Sequence, residues 1–216
     1  MPQDETELRK LAAIMLTDMV GYSALAERNE ASALKLLDEH RQLLRLIFPK
    51  HYGCEIKTIG DGFLVEFPSA LAAVQCGIEI QETIAKKNSA SPRQERFQVR
   101  IGIHVGDVVR RDNDVVGDGV NIAARIEPLA EASGICISRQ VFDQIENRVG
   151  RSLKRMEQVK LKNMVRPLEV YQVLWEEAAS PESGHLGADQ ASRSTQTQKS
   201  IAVLPFLNMS SDPENE

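Results

Sequence analysis

The chain has 216 residues, 42% hydrophobic and 26% charged, with a mean hydropathy of -0.28, which suits a soluble globular chain with one ordinary core. Its formal net charge of -5 lacks the basic excess of phosphate-backbone binders, so no nucleic-acid partner is expected. No apolar run reaches the length that spans a bilayer, and the polar start MPQDETELRK is unlike a secretion signal. Cys54, Cys76 and Cys136 are odd in number, far apart and without zinc-site spacing, which points to a reducing, cytoplasmic setting.

Residues 11–16 read as a buried strand, and residues 23–48 as a helix with Leu34, Leu37, Leu44 and Ile47 on one face, stopped at Pro49. Residues 55–59 and 63–67 form two short strands around Gly60-Asp61-Gly62, which is hairpin turn chemistry. Pro68-Ser69 opens a second helix with Leu71, Val74 and Ile78 toward the core, followed by a polar loop over 88–96. Residues 98–104 alternate as a strand, and 105–109 continue into a neighbouring one. A third helix is expected over 118–130, and further strands at 135–138, 153–161 and 168–174. This mixture is α+β, and the order strand, helix, hairpin, helix, strand predicts a ferredoxin-like βαββαβ core sheet covered by helices.

Residues 176–200 are small and polar and read as a flexible linker. Residues 201–216 open with the strand-like run SIAVLPF, too little to fold alone, and read as the truncated start of a further domain. Residues 1–10 are taken as an N-terminal extension and 11–175 as the domain itself.

Asp18 closes an apolar strand, and Asp61 sits at the hairpin tip. If those strands are neighbours, both carboxylates emerge at one edge, where they can hold hard divalent cations such as Mg2+. Taken singly, an Asp before a helix is as well explained by N-capping and Gly-Asp-Gly by a turn. The residues after Asp18, Val20-Gly21-Tyr22-Ser23, place a glycine and free amides at a helix start, which favours a phosphate. No GxxxxGK[ST] loop occurs, so P-loop chemistry is not expected. Further on, Asn121 and Arg125 are four apart on a helix and share a face, offering an amide and a fixed positive fork.

Four segments in chain order, LTDMVGYSALAE, KTIGDGFLVEF, VRIGIHVGDVV and DVVGDGVNIAARIE, resemble the catalytic domain of the class III nucleotidyl cyclases. These are the adenylate and guanylate cyclases, and the likeness runs from about residue 11 to residue 173. The resemblance implies that Asp18, Asp61 and the carbonyl of Met19 hold two Mg2+ or Mn2+ ions. It implies that Val20, Gly21, Tyr22 and Ser23 form the triphosphate turn, and that Lys57 and Asp114 read adenine. Asn121 would orient the ribose, Arg125 would stabilise the transition state, and Lys162, in VKLKNMVRPLEVYQV, would contact the triphosphate. Guanylate cyclases typically carry glutamate at the position of Lys57, so the resemblance favours ATP as substrate and cyclic AMP as product. It also implies a head-to-tail homodimer whose sites are shared between chains. Guanylate cyclase and a catalytically silent nucleotide-binding module are the alternatives. Diguanylate cyclases share a ferredoxin-like core, but their acidic tetrad is absent and the Asn–Arg helix does not suit them. The four histidines are expected in the core or on the surface, not on a metal.

Overall fold

The computed structural model of the chain describes residues 8–111, 114–156 and 168–175. In chain order the first elements are β1 (Leu8–Met19), α1 (Tyr22–Arg28), α2 (Glu30–Ile47), β2 (Cys54–Ile59), β3 (Gly62–Phe67) and α3 (Ala70–Ala90). They are followed by β4 (Val99–Arg111), β5 (Asp114–Val116), α4 (Asp118–Ile126), β6 (Ile135–Ser138), α5 (Arg139–Ile145), β7 (Ser152–Arg155) and β8 (Val170–Leu174). The described strands form one sheet in the order β2-β3-β1-β4-β6-β8-β7, with β5 folded back on β4. The run β2-β3-β1-β4 is antiparallel throughout, which is the expected ferredoxin-like core. β6 adds parallel to β4, as suits strands joined by a helical crossover.

β1 outruns the apolar stretch 11–16 because β4 pairs with it along its whole length, from Leu8 opposite Arg110 to Met19 opposite Val99. Ladder pairing satisfies the backbone of polar residues as well as apolar ones, so Asp18 lies inside the strand. Side chains alternate along β1. Ala13, Met15 and Met19 enter the larger core, while Ala12, Ile14 and Leu16 enter a second cluster on the opposite face. Residues of α2, α3 and α5 line the first core, and Ala123 of α4 joins the second. Asp18 follows the even-numbered alternation and therefore belongs to the face that α4 covers.

Several expectations are corrected. The helix over 23–48 breaks at Asn29, which leaves helical geometry at φ -155° and whose side chain caps α2 by accepting from the Ser32 amide at 3.0 Å. The buried stripe of α2 is then Ala33, Leu36, Leu37, His40, Leu44 and Ile47, and Leu34 falls outside it at 49% exposed. Residues 99–111 are one strand, not two, because Gly106 makes no turn. It admits α4 instead: a Cβ there would stand 3.0 Å from the Gly119 Cα. The third helix stops at Ile126, where Pro128 forces a 3-10 turn over Glu127–Leu129. β5 has three residues and α5 seven, too few for periodicity to reveal. The second helix runs as expected from its Ser69 cap, which accepts from the Ala72 amide at 3.2 Å. The expected strand over 153–161 is β7 for its described part, whereas Lys162 and the 176–200 and 201–216 segments lie outside the described residues.

The 3-10 turn is laid directly on β4. A Cβ at Gly102 would meet the Glu127 backbone N at 2.4 Å and its Cα at 2.5 Å, and neither backbone atom can yield cheaply. Gly102→Ala is expected to lower stability by about 1–3 kcal/mol, read as a lower urea midpoint with an unchanged slope.

His40 is fully buried, with its ring 5.6 Å from that of Phe63 and 5.7 Å from that of Phe97, and neither ring nitrogen has a hydrogen-bond partner. Burial pushes its pKa down from 6.5 to about 4. The unfolded chain therefore takes up this proton below pH 6.5 while the folded chain resists it, so stability falls as pH drops from 6.5 toward 4. His104 is also buried, shifts in the same direction and adds to the loss. His40→Leu should leave stability at pH 7.5 unchanged or higher and reduce the acid-side loss by up to about 3 kcal/mol. Urea titrations at pH 7.5, 6 and 4.5 read this, and an acid limb identical to wild type contradicts it.

Candidate active site

The register of β1 against β3 and β4 sets the geometry of the carboxylates. Leu16 pairs with Leu64, so the next residues of β1 run alongside the β2–β3 hairpin tip. The Phe63 amide donates to Thr17 Oγ1 at 3.0 Å, and the Met19 amide donates to Asp61 Oδ2 at 3.0 Å. A Cβ at Gly62 would lie 1.7 Å from the Thr17 carbonyl oxygen, so only glycine lets the hairpin tip approach this closely. Gly60 turns the chain at φ +60°, and its carbonyl accepts from Arg41 Nη2 of α2 at 3.1 Å. Asp18 and Asp61 thus meet at one place, as the sequence predicts.

Their charges interact. Burial, together with the Asp18 charge, raises the Asp61 carboxyl above its ordinary range, against amide hydrogen bonds that lower it. Arg100, directly across the ladder from Asp18, donates to Asp18 Oδ2 through Nη2. Its Nε stands 3.2 Å from Glu127 Oε1 in the 3-10 turn. Burial, reinforced by the Asp18 charge, pushes the Glu127 carboxyl up to about 7, although Arg100 opposes the shift. Arg100 and Glu127 were not among the residues singled out from the sequence. A lone arginine in the apolar alternation VRIGIHV was the available signal for Arg100; nothing local marks Glu127, because its neighbour arrives from another strand.

The turn after β1 contains Gly21, which caps α1 at φ +75° with open space around its Cα, so its conformation is what calls for glycine. The Val20 amide is already engaged by the Gln98 carbonyl at 2.9 Å. No side chain caps α1, so the amides of Tyr22 and Ser23 in its first turn have no intrahelical acceptor. Tyr22 packs its ring against the main core, and Ser23 is exposed.

Lys57 of β2 and Asp114 of β5 come together from positions far apart in the chain, Nζ to Oδ2 at 2.6 Å. That hydrogen bond holds the Asp114 carboxyl below the usual range, and the Val115 amide adds to the effect. A bulge between Glu55 and Lys57 puts Lys57 opposite Leu64, on the face that α4 shares. On α4, Gly119, Ala123 and Ile126 are buried, Asn121 is exposed and Arg125 half-buried. Among the described residues, no hydrogen bond or ion pair joins Lys57, Asp114, Asn121 or Arg125 to Asp18 or Asp61 within one chain.

Asp18, Asp61 and the Met19 carbonyl are hard oxygen donors, and two carboxylates repelling each other is a local charge that a divalent cation relieves, so the donor set fits Mg2+ or Mn2+. Among the described residues no group of three or more His, Cys, Asp or Glu side chains converges as a metal cage. A site of this kind needs oxygens from substrate and water to complete the shell, as Mg2+ sites commonly do. His104 is no part of it, being buried with Nδ1 2.9 Å from Ser138 Oγ.

Residues 5–174 match the family described as the adenylate and guanylate cyclase catalytic domain. "Putative adenylate cyclase 3" of Rhizobium meliloti is 38% identical over 97% of the chain, and the chain spans 36% of that protein. A solved adenylate/guanylate cyclase/hydrolase from Silicibacter pomeroyi is 41% identical, with a TM-score of 0.72 over 77% of this chain and 97% of the other. The solved adenylyl cyclase CyaB of P. aeruginosa is 26% identical, with a TM-score of 0.69 over 79% of this chain and 97% of the other. The match covers every described strand and each of the segments that meet around β1, and the chain belongs to the adenylate and guanylate cyclase catalytic-domain family.

Proposed function

We propose that this domain is an adenylate cyclase, converting ATP to 3',5'-cyclic AMP and pyrophosphate. The observation that carries the reading is the convergence of Asp18 and Asp61, with the Met19 amide fixing the Asp61 carboxylate. In the reaction the ribose 3'-oxygen attacks the α-phosphorus, the bond to the β-phosphate oxygen breaks, and the hydroxyl proton leaves to water or a phosphate oxygen. Asp18, Asp61 and the Met19 carbonyl would hold two Mg2+ or Mn2+ ions, which lower the pKa of the hydroxyl and offset charge on attacking and leaving oxygens. Gly21, Tyr22 and Ser23 would offer amides to the triphosphate, with Val20 shaping the turn through its bond to Gln98. Lys162 would contact the triphosphate from the segment after β7. The Asn121 amide would orient the ribose, and the Arg125 guanidinium would meet the negative charge that grows on the α-phosphate.

Lys57 and Asp114 supply the choice of base. Adenine presents an acceptor at N1 beside a donor amino group, which a lysine donor and a carboxylate acceptor complement. Guanine reverses both, with an N1–H donor and a carbonyl, and would leave both side chains facing like groups. The reading is supported by their 2.6 Å contact, which brings the donor and the acceptor to one spot.

Asp18 and Asp61 act from one chain on this reading, and Lys57, Asp114, Asn121 and Arg125 from the other, in a head-to-tail homodimer with two equivalent sites. It is supported by the lack, among the described residues, of any hydrogen bond or ion pair between the two groups within one chain, and by Arg125, which has no acidic partner among the described residues.

Purified protein incubated with Mn2+ and either nucleotide is expected to form cyclic AMP from ATP and far less cyclic GMP from GTP. A dimeric protein yielding neither product overturns the reading, and GTP preference replaces it with guanylate cyclase. Lys57→Ala should cut kcat/KM for ATP by about 10- to 100-fold, the worth of a hydrogen bond to a charged group, and narrow the ATP/GTP ratio. Asp61→Ala and Arg125→Ala chains should each be inactive alone and regain activity when mixed, since one site of the heterodimer is intact. A mixture as inactive as its components contradicts shared sites.

A further inference from the structure

Arg100 touches two carboxylates, and the two contacts differ. To Asp18 it makes a direct hydrogen bond through Nη2 from the facing strand. To Glu127 it makes only a charge contact: Nε lies 3.2 Å from Oε1, yet neither atom has an aligned hydrogen-bond partner although both are buried. The Glu127 side chain is 13% exposed, and its backbone is pressed onto Gly102, so it cannot swing out to water. A buried carboxylate oxygen left without a donor costs folding free energy, and apolar packing would avoid that cost. Its position makes physical sense as a second place for the same guanidinium.

We propose that Glu127 is a positioning residue for Arg100, keeping the guanidinium beside Asp18 as a counter-ion that a divalent cation displaces and Glu127 then takes up. Without a cation, Arg100 offsets the Asp18 charge that otherwise acts on Asp61. When a cation claims the Asp18 oxygens, Arg100 loses its better acceptor, and a small rotation aligns Nε with Glu127. Without Glu127 there is no such alternative, so the cation competes with a guanidinium that has nowhere else to pair. Glu127 directly follows Ile126, the last residue of α4, so the exchange also links the Asp18–Asp61 carboxylates to the helix carrying Asn121 and Arg125. The inference rests on the metal-site reading above.

Mn2+ binding to the nucleotide-free protein, followed by the electron paramagnetic resonance signal of free Mn2+, tests it without any turnover. Asp61→Asn is the control, and binding insensitive to it overturns the metal-site reading together with this inference. Glu127→Gln is expected to weaken Mn2+ binding about fivefold or more, and Arg100→Met to strengthen it. In the Arg100→Met background the Glu127→Gln effect should largely vanish, because the residue acts through Arg100. If Glu127→Gln weakens binding equally in both backgrounds, Glu127 contributes only its field and this inference fails while the metal site stands. It fails likewise if Arg100→Met weakens binding. Circular dichroism melts establish that each variant is folded, and Arg100→Gln serves where Arg100→Met is not. Independently, in wild-type protein labelled with 15N-arginine, Mg2+ should shift the Arg100 Nε–H resonance and slow its exchange, and Glu127→Gln should abolish the change. A resonance indifferent to Mg2+ overturns the proposal.

Discussion

The structure around the site depends on one electrostatic constraint, the repulsion between Asp18 and Asp61, two carboxylates held at the end of one strand and the tip of the next hairpin. Like charges at short range in a partly desolvated place oppose folding. The chain limits the cost with a neighbouring cation from β4 and an amide from β1 itself. On the metal-site reading proposed above, the repulsion that remains is what would make the site receptive to a divalent cation. On that reading, stability and cation binding would draw on the same charges in opposite senses.

Backbone proximity enforces that arrangement. Gly62 lies so near the Thr17 carbonyl that any side chain would separate β3 from β1, and Gly102 does the same for the turn at the end of α4. Both glycines act by lacking a Cβ, which lets backbone meet backbone. The Arg41 contact to the Gly60 carbonyl ties the hairpin tip to α2, the helix that follows the proposed triphosphate turn through α1. The residues around the two carboxylates are thus held by regular elements and not by free loops, which suits chemistry that tolerates little displacement.

The sheet has two unequal faces. One is covered by α2, α3 and α5, packed over a large apolar core. The other is covered by α4 with smaller clusters, and Asp18, Glu127 and Lys57 belong to that side. A half-covered sheet face that carries charged and nucleotide-complementary groups suits a surface completed by a second chain, in keeping with the shared-site dimer proposed above.

Much of this was legible in the sequence. Apolar runs marked β1 and β3, period-two alternation marked the first half of β4, and the Gly-Asp-Gly turn between two short strands announced the hairpin that brings Asp61 to Asp18. Hairpin pairing is local, so the neighbouring residues carry the information. Short elements escaped because β5 and α5 have too few residues for a period to show, and Leu34 was misplaced because, at 3.6 residues per turn, it stands about 140° around α2 from Ile47 and off the buried stripe. By itself, then, the sequence determined the ferredoxin-like order and the identity of the acidic and basic groups, since these follow from local pattern and composition. Only the tertiary structure decided that Arg100 faces Asp18, that Glu127 stands behind Arg100 and that Lys57 reaches Asp114. Those contacts depend on strand register and on where α4 ends against the sheet, and no local pattern encodes a distance between residues that the fold alone brings together.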